Sequence, residues 1–184
     1  MKLIIGLGNP GREYESTRHN AGFMALDAVS AEIDAKWKSD AKRKSLIGIA
    51  DVEGEKVILA KPQTFMNLSG EAATALVAFY KVDLKDVLLV HDEMDLDPGR
   101  IQFKIGGSPA GHNGVSSVYE RLGTKEIQRL RIGVGRPQGR ASAEDWVLSE
   151  MSTEDAPNAL DISAAMRDWI EHGIVTASER WNKR

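Results

Sequence analysis

The chain has 184 residues, enough for one domain with a substantial core, and its 42% hydrophobic content is ordinary for a globular protein. Its 24 basic and 27 acidic residues leave a net charge of −3, which argues against an indiscriminate nucleic-acid binder. The absence of cysteine excludes disulfides, thiolate nucleophiles and cysteine-ligated zinc. No run of about 18 apolar residues marks a membrane span, no signal-peptide pattern opens the chain, and a cytoplasmic location is the expectation.

Lys2–Leu7 reads as a buried strand. Gly6-Leu7-Gly8-Asn9-Pro10-Gly11 follows and satisfies the string G-x-G-x-x-G. A dinucleotide fingerprint needs a helix to open at once and an acidic residue about 20 positions on, at the end of a second strand. Here Pro10 precedes the third glycine, and Arg12 to Asn20 carry no apolar stripe. Helical periodicity starts near Ala21 and runs through Phe23, Leu26, Val29 and Ile33, which places Glu32 inside a helix. The string matches and the context fails. The stretch reads instead as a strand followed by a polar loop that delivers Asn9, Tyr14 and His19 to one place.

Asn20 to about Asp34 is predicted as a helix with Asn20 as its cap. Leu46–Val52 and Lys56–Ala60 flank Glu53-Gly54-Glu55 as a hairpin. A helix is predicted over Ser69–Tyr80, and a buried strand over Val87–His91. Asp97-Pro98-Gly99 is a turn leading into an alternating strand, Arg100–Ile105. Gly106–Gly111 is a flexible loop, Asn113–Leu122 a helix, Arg129–Val134 a strand, and Pro157 to about Arg180 a closing helical segment. Strands alternating with helices, with one hairpin among them, predict a single α/β domain over residues 1–184, its central mixed sheet flanked by helices.

Charge is unevenly placed. Residues 99–140 hold eight basic and two acidic side chains, and residues 141–171 hold eight acidic and one basic. A basic stretch on an acidic chain suits one phosphate-bearing partner at one face, or a set of solvated surface charges. Of the four histidines, His19, His91 and His112 fall near predicted strand ends or loop junctions, where α/β sheets bind ligands. His172 has no such context. The carboxylates of His91-Asp92-Glu93-Met94-Asp95-Leu96-Asp97 suggest a hard-cation site, but the spacing of a calcium loop is absent. A buried Asp92 orienting a histidine is the favoured role. Ser108 lacks the strand–Ser–helix turn of a nucleophile elbow. Asn9, Asn20, Asn67 and Asn113 all lie at element boundaries, where a neutral amide can hold a carbonyl or a peptide N–H without adding charge.

These residues carry a family resemblance. Gly6–Gly11 with Tyr14 and Thr17-Arg18-His19-Asn20-Ala21-Gly22 resembles the N-terminal signature of bacterial peptidyl-tRNA hydrolases, and Pro62–Gly70 is similar to their second signature. His91-Asp92, Asp95-Leu96, Pro98-Gly99, Gly106-Gly107, Gly111–Gly114 and Arg129–Gly133 follow in the family's order, so the similarity covers residues 2 to about 148. Where the family usually has two glycines before His-Asn-Gly, this chain has Ala110-Gly111 preceded by Pro109. Alanine resists positive φ and proline fixes its own, so the loop is expected to be stiffer.

The resemblance implies hydrolysis of the ester between a peptide and the terminal ribose of tRNA, by a monomer without cofactor or metal. It implies His19 as the general base, Asp92 as the group that orients it, and Asn113 as the holder of carbonyl and oxyanion. Asn9 and Asn67 would read the peptide backbone. Tyr14, Phe65 and Met66 would line the channel for acyl chain and terminal adenosine, with His112 beside them, and Lys104 and Arg131 would hold phosphates of the acceptor stem. Two competitors stand beside this: a catalytically silent RNA-binding module, and an oxidoreductase that uses GLGNPG for a nucleotide. A metal-dependent phosphoesterase built on the carboxylates near Asp92 is a third.

Overall fold

A computed structural model describes residues 1–183. Its strands are β1 (Lys2–Gly6), β2 (Lys38–Asp40), β3 (Ser45–Val52), β4 (Glu55–Pro62), β5 (Val87–Glu93), β6 (Ile101–Ile105) and β7 (Gln128–Gly133). Its helices are α1 (Ala21–Glu32), α2 (Ser69–Tyr80), α3 (Asn113–Leu122), α4 (Ala143–Val147) and α5 (Ala159–Trp181), the last interrupted at Gly173, where φ is 77°.

All seven strands join one sheet in the order β2-β3-β4-β1-β5-β7-β6. The central strands β4, β1, β5 and β7 are parallel. The hairpin strand β3 runs antiparallel to β4, β2 to β3, and β6 to β7. Period-2 alternation explains the two cores. Ile4, Leu88 and Val90 face one side under α1 and α5, with Trp169 buried among them. Leu3, Ile5, Val87 and Leu89 face the other, under α2 and α3. Both faces are covered, so β5 is buried along its whole length, including its polar end His91-Asp92-Glu93.

The glycines of GLGNPG act through close approach. A Cβ on Gly6 would lie 2.5 Å from the Gly22 carbonyl oxygen, and one on Gly22 would lie 2.3 Å from that of Val90. Only bare backbone lets the first turn of α1 seat directly on the ends of β1 and β5. The preceding turn, Arg18–Asn20, is therefore pinned at the carboxyl edge of the parallel strands, where such sheets hold ligands.

Candidate active site

β1 runs out into Asn9, the turn before α1 carries His19, β5 ends in Asp92, and α3 begins at Asn113. These residues, with Phe65, Met66, Asn67 and His112, line one cleft of about 440 Å³. Its far wall is Ala143, Glu144, Val147 and Leu148, on and just after α4.

Asp92 is the centre. One carboxylate oxygen, Oδ1, lies 2.9 Å from His19 Nδ1 and 2.9 Å from His112 Nε2. Burial alone would raise this carboxyl's pKa; the His112 and His19 imidazoles, as charges and as N–H donors, outweigh it and hold the carboxyl well below the ordinary range. An ionised oxygen only accepts, so both rings donate to it. For His19 this puts the proton on Nδ1 and leaves Nε2 as the basic nitrogen. For His112 it leaves Nδ1 to accept from the Gly114 and Val115 backbone N–H groups at 3.1 and 3.3 Å, which caps α3. The imidazole takes the place that Ser, Asp or Asn usually fills.

Among the described residues these three form the one group of His and carboxylate side chains with metal-ligand proximity, their facing atoms within 4.8 Å. Each facing atom is already engaged in a hydrogen bond with another of the set.

The asparagine network is tighter than the sequence indicates. Asn20 is not a side-chain cap. Its Oδ1 accepts from the Asn9 backbone N–H at 2.8 Å and its Nδ2 donates to the Asn9 carbonyl at 2.9 Å. This double clamp corrects the capping expectation: α1 begins at a 3-10 turn, and the amide is spent on the glycine loop instead. Asn9 Oδ1 in turn accepts from the Met66 N–H at 2.8 Å, so the Asn9 amide is fixed with Nδ2 as its remaining donor. Met66 is buried, while Phe65 and Asn67 are exposed on the cleft rim. Asn113 is exposed as the first residue of α3, where the backbone N–H has no intrahelical partner.

Other expected residues lie elsewhere. Tyr14 is outside the cleft lining; it ends a 3-10 turn, and its carbonyl accepts from the Thr17 N–H and hydroxyl. Arg131 donates to Glu93 at 3.1 Å and is outside the cleft lining. Lys104 is exposed, with its stem against Gly107 at the start of the 106–111 segment. The basic excess of residues 99–140 does not form one free face, since Arg129 is 1% exposed and Arg136 pairs with Asp95 at 2.8 Å. Ser108 Oγ accepts from the Ala110 N–H at 3.1 Å, a turn-forming bond.

Sequence reasoning missed α4 altogether. It is held by Arg18, whose guanidinium stacks 3.6 Å from the Trp146 ring centre and donates to Ser149 Oγ and the Glu150 carbonyl. The available signal was Ser142, which caps the Asp145 N–H. His91 is fully buried, and burial, then the neighbouring His112 ring and the Arg129 guanidinium, pushes its pKa well down. It stays neutral, with Nδ1–H donating to the Asp92 carbonyl at 2.7 Å.

A strand-end cleft in which one carboxylate orients an imidazole, with neutral amides fixed beside it, is the working end of a hydrolase. Comparison with known proteins narrows the class to one family. The peptidyl-tRNA hydrolase family model matches residues 3–184, and the chain belongs to that family. A peptidyl-tRNA hydrolase of Geobacillus thermodenitrificans is 44% identical over 96% of this chain and 94% of its own length. One of Bacillus anthracis is 47% identical over 99% of this chain and 100% of its own. The crystal structure of the Acinetobacter baumannii enzyme superposes with a TM-score of 0.90 at 34% identity, covering 99% of this chain and 94% of that one.

Proposed function

We propose that the cleft hydrolyses the ester joining a peptide to the 3′-terminal ribose of peptidyl-tRNA, with His19 as general base. The observation that carries this reading is the 2.9 Å contact between His19 Nδ1 and Asp92 Oδ1 on the floor of the cleft. It fixes the tautomer and leaves Nε2 to take a proton from water as the water oxygen adds to the ester carbonyl. The tetrahedral intermediate then collapses. The carbon–oxygen bond to the ribose breaks, and the His19 imidazolium returns its proton to the leaving ribose oxygen. Water is consumed, acid and alcohol are formed, and no covalent enzyme intermediate is needed. A positioned base of this kind is worth about 10²–10⁴-fold.

Asn113, by its helix-terminal N–H or its amide, receives the developing oxyanion. Asn9 Nδ2 and the exposed Asn67 amide hold the peptide group next to the ester. A free aminoacyl ester presents an ammonium there, which a neutral donor does not accept, and this supports discrimination between the two. Phe65 and Met66 supply apolar surface for the acyl chain and terminal base. Lys104 provides an exposed cation for the acceptor stem, and Arg131 adds one if it exchanges Glu93 for a phosphate, so binding is salt-sensitive. The chain acts as a monomer.

The test is release of an N-acetylated amino acid from its tRNA, beside the unblocked aminoacyl-tRNA. Rapid release of the blocked form alone supports the reading. Equal release of both removes the role given to Asn9 and Asn67, and release of neither removes the hydrolase assignment.

A further inference from the structure

Arg129, on β7, is 1% exposed and forms no ion pair among the described residues. Its Nη2 donates to the Gly106 carbonyl at 2.5 Å, and its Nη1 faces His91 Nε2 at 3.5 Å. His91 donates from Nδ1 to the Asp92 carbonyl, and its ring stands edge-on to that of His112, 4.9 Å between centres. His112 lies 4.8 Å from His19 in turn. An unbroken set of contacts thus runs from Gly106 through Arg129 and His91 to the Asp92 backbone and both working imidazoles. Neither Arg129 nor His91 lines the cleft.

Burying a guanidinium without a carboxylate is costly, and an apolar side chain of similar volume fills such a site without that cost. What the arginine supplies alone is a planar fork that bonds two directions at once, here a loop carbonyl and a ring nitrogen. The loop is the one that matters. Residues 106–111 join β6 to α3, supply Pro109, Ala110 and Gly111 to the cleft wall, and lead directly into His112 and Asn113. Gly106, Gly107, Ala110 and Gly111 all sit at positive φ, so the segment is a special conformation that needs an anchor.

We infer that Arg129 and His91 are positioning residues for the hydrolysis: they hold the start of the 106–111 segment against β5, so that Asn113 and the Asp92–His19 pair address the same ester carbon. This rests on the reaction assigned above.

The test compares wild type with Arg129→Met and His91→Asn, the latter keeping a donor toward the Asp92 carbonyl but losing the acceptor for Arg129. Steady-state kinetics on N-acetyl-aminoacyl-tRNA are read together with hydrogen exchange of the amides of residues 107–112 and with melting temperature. The expected result is a fall in kcat of about 10- to 100-fold with KM within about twofold, and faster exchange of those amides in both folded variants. The double variant should be no slower than the worse single one, because both remove the same tie. If Arg129→Met does not fold, His91→Asn carries the same expectation. Folded variants with kcat within about twofold of wild type, a loss confined to KM, or unchanged exchange at 107–112 would overturn the inference. Wild type that releases nothing, while exchange at 107–112 still responds to the substitutions, would sink the proposed reaction and with it the catalytic part of this inference; the loop tie would stand.

Discussion

His19 and His112 donate to the same oxygen of Asp92, each at 2.9 Å. Their tasks differ. One presents a basic nitrogen to the cleft, and the other turns its second nitrogen back to cap α3, the helix that begins with Asn113. The proposed base and the proposed oxyanion holder are therefore referenced to a single carboxylate. Asp92→Asn should lower kcat by about 10²–10⁴-fold, since a neutral amide no longer fixes both tautomers. His112→Ala should lose about 1 kcal/mol of stability with the cap, and its fall in kcat should be smaller. Kinetics alongside thermal melts separate the two.

Asn9→Asp is the sharpest test of the asparagine clamp. The carboxylate still accepts from the Met66 N–H, but an unpaired charge at a buried position lowers the melting temperature as well. The donor proposed to hold the peptide group becomes a charged acceptor, so kcat/KM should fall by about 100-fold or more. Asn9→Ala should differ in kind, because it also leaves the buried Met66 N–H unpaired at about 1–3 kcal/mol.

Ala110 sits at φ 50°, a conformation that favours glycine. The sequence departure from Gly-Gly thus leaves a strained residue in the loop. Ala110→Gly should raise stability by up to about 1 kcal/mol, and Ala110→Val should lower it by more than that, measured by denaturant unfolding.

Acid should destabilise the protein in two steps. His91 has a depressed pKa in the folded state, so its contribution is lost as pH falls below the unfolded value of about 6.5. Asp92 is also depressed, so its contribution is present above about pH 4 and fades below it. His91→Asn should flatten the upper step and leave the lower one, in melting temperature recorded against pH.

Much of this was legible in the sequence. α2 and α3 appear with the bounds that their periodicity gives, and all of the strongly apolar strands are present. The family's site residues converge on one cleft, Tyr14, Lys104 and Arg131 excepted. What escaped depends on long-range partners. β2, Lys38-Ser39-Asp40, has no apolar pattern and exists because β3 pairs with it. β5 runs two residues past His91 because Asp92 and Glu93, polar as they are, are covered by neighbours. α4 is a short polar helix made stable by Arg18 and Trp146, over a hundred residues apart. Arg129 reads as a surface cation until Gly106 and His91 are folded over it.

The measurement that bears most directly on the account is kcat/KM for release of an N-acetylated amino acid from tRNA, for wild type and His19→Ala, both in excess EDTA. The account predicts full wild-type turnover and a loss of about 10²–10⁴-fold in the variant. Turnover that survives in His19→Ala, or that vanishes from wild type on chelation, would contradict it.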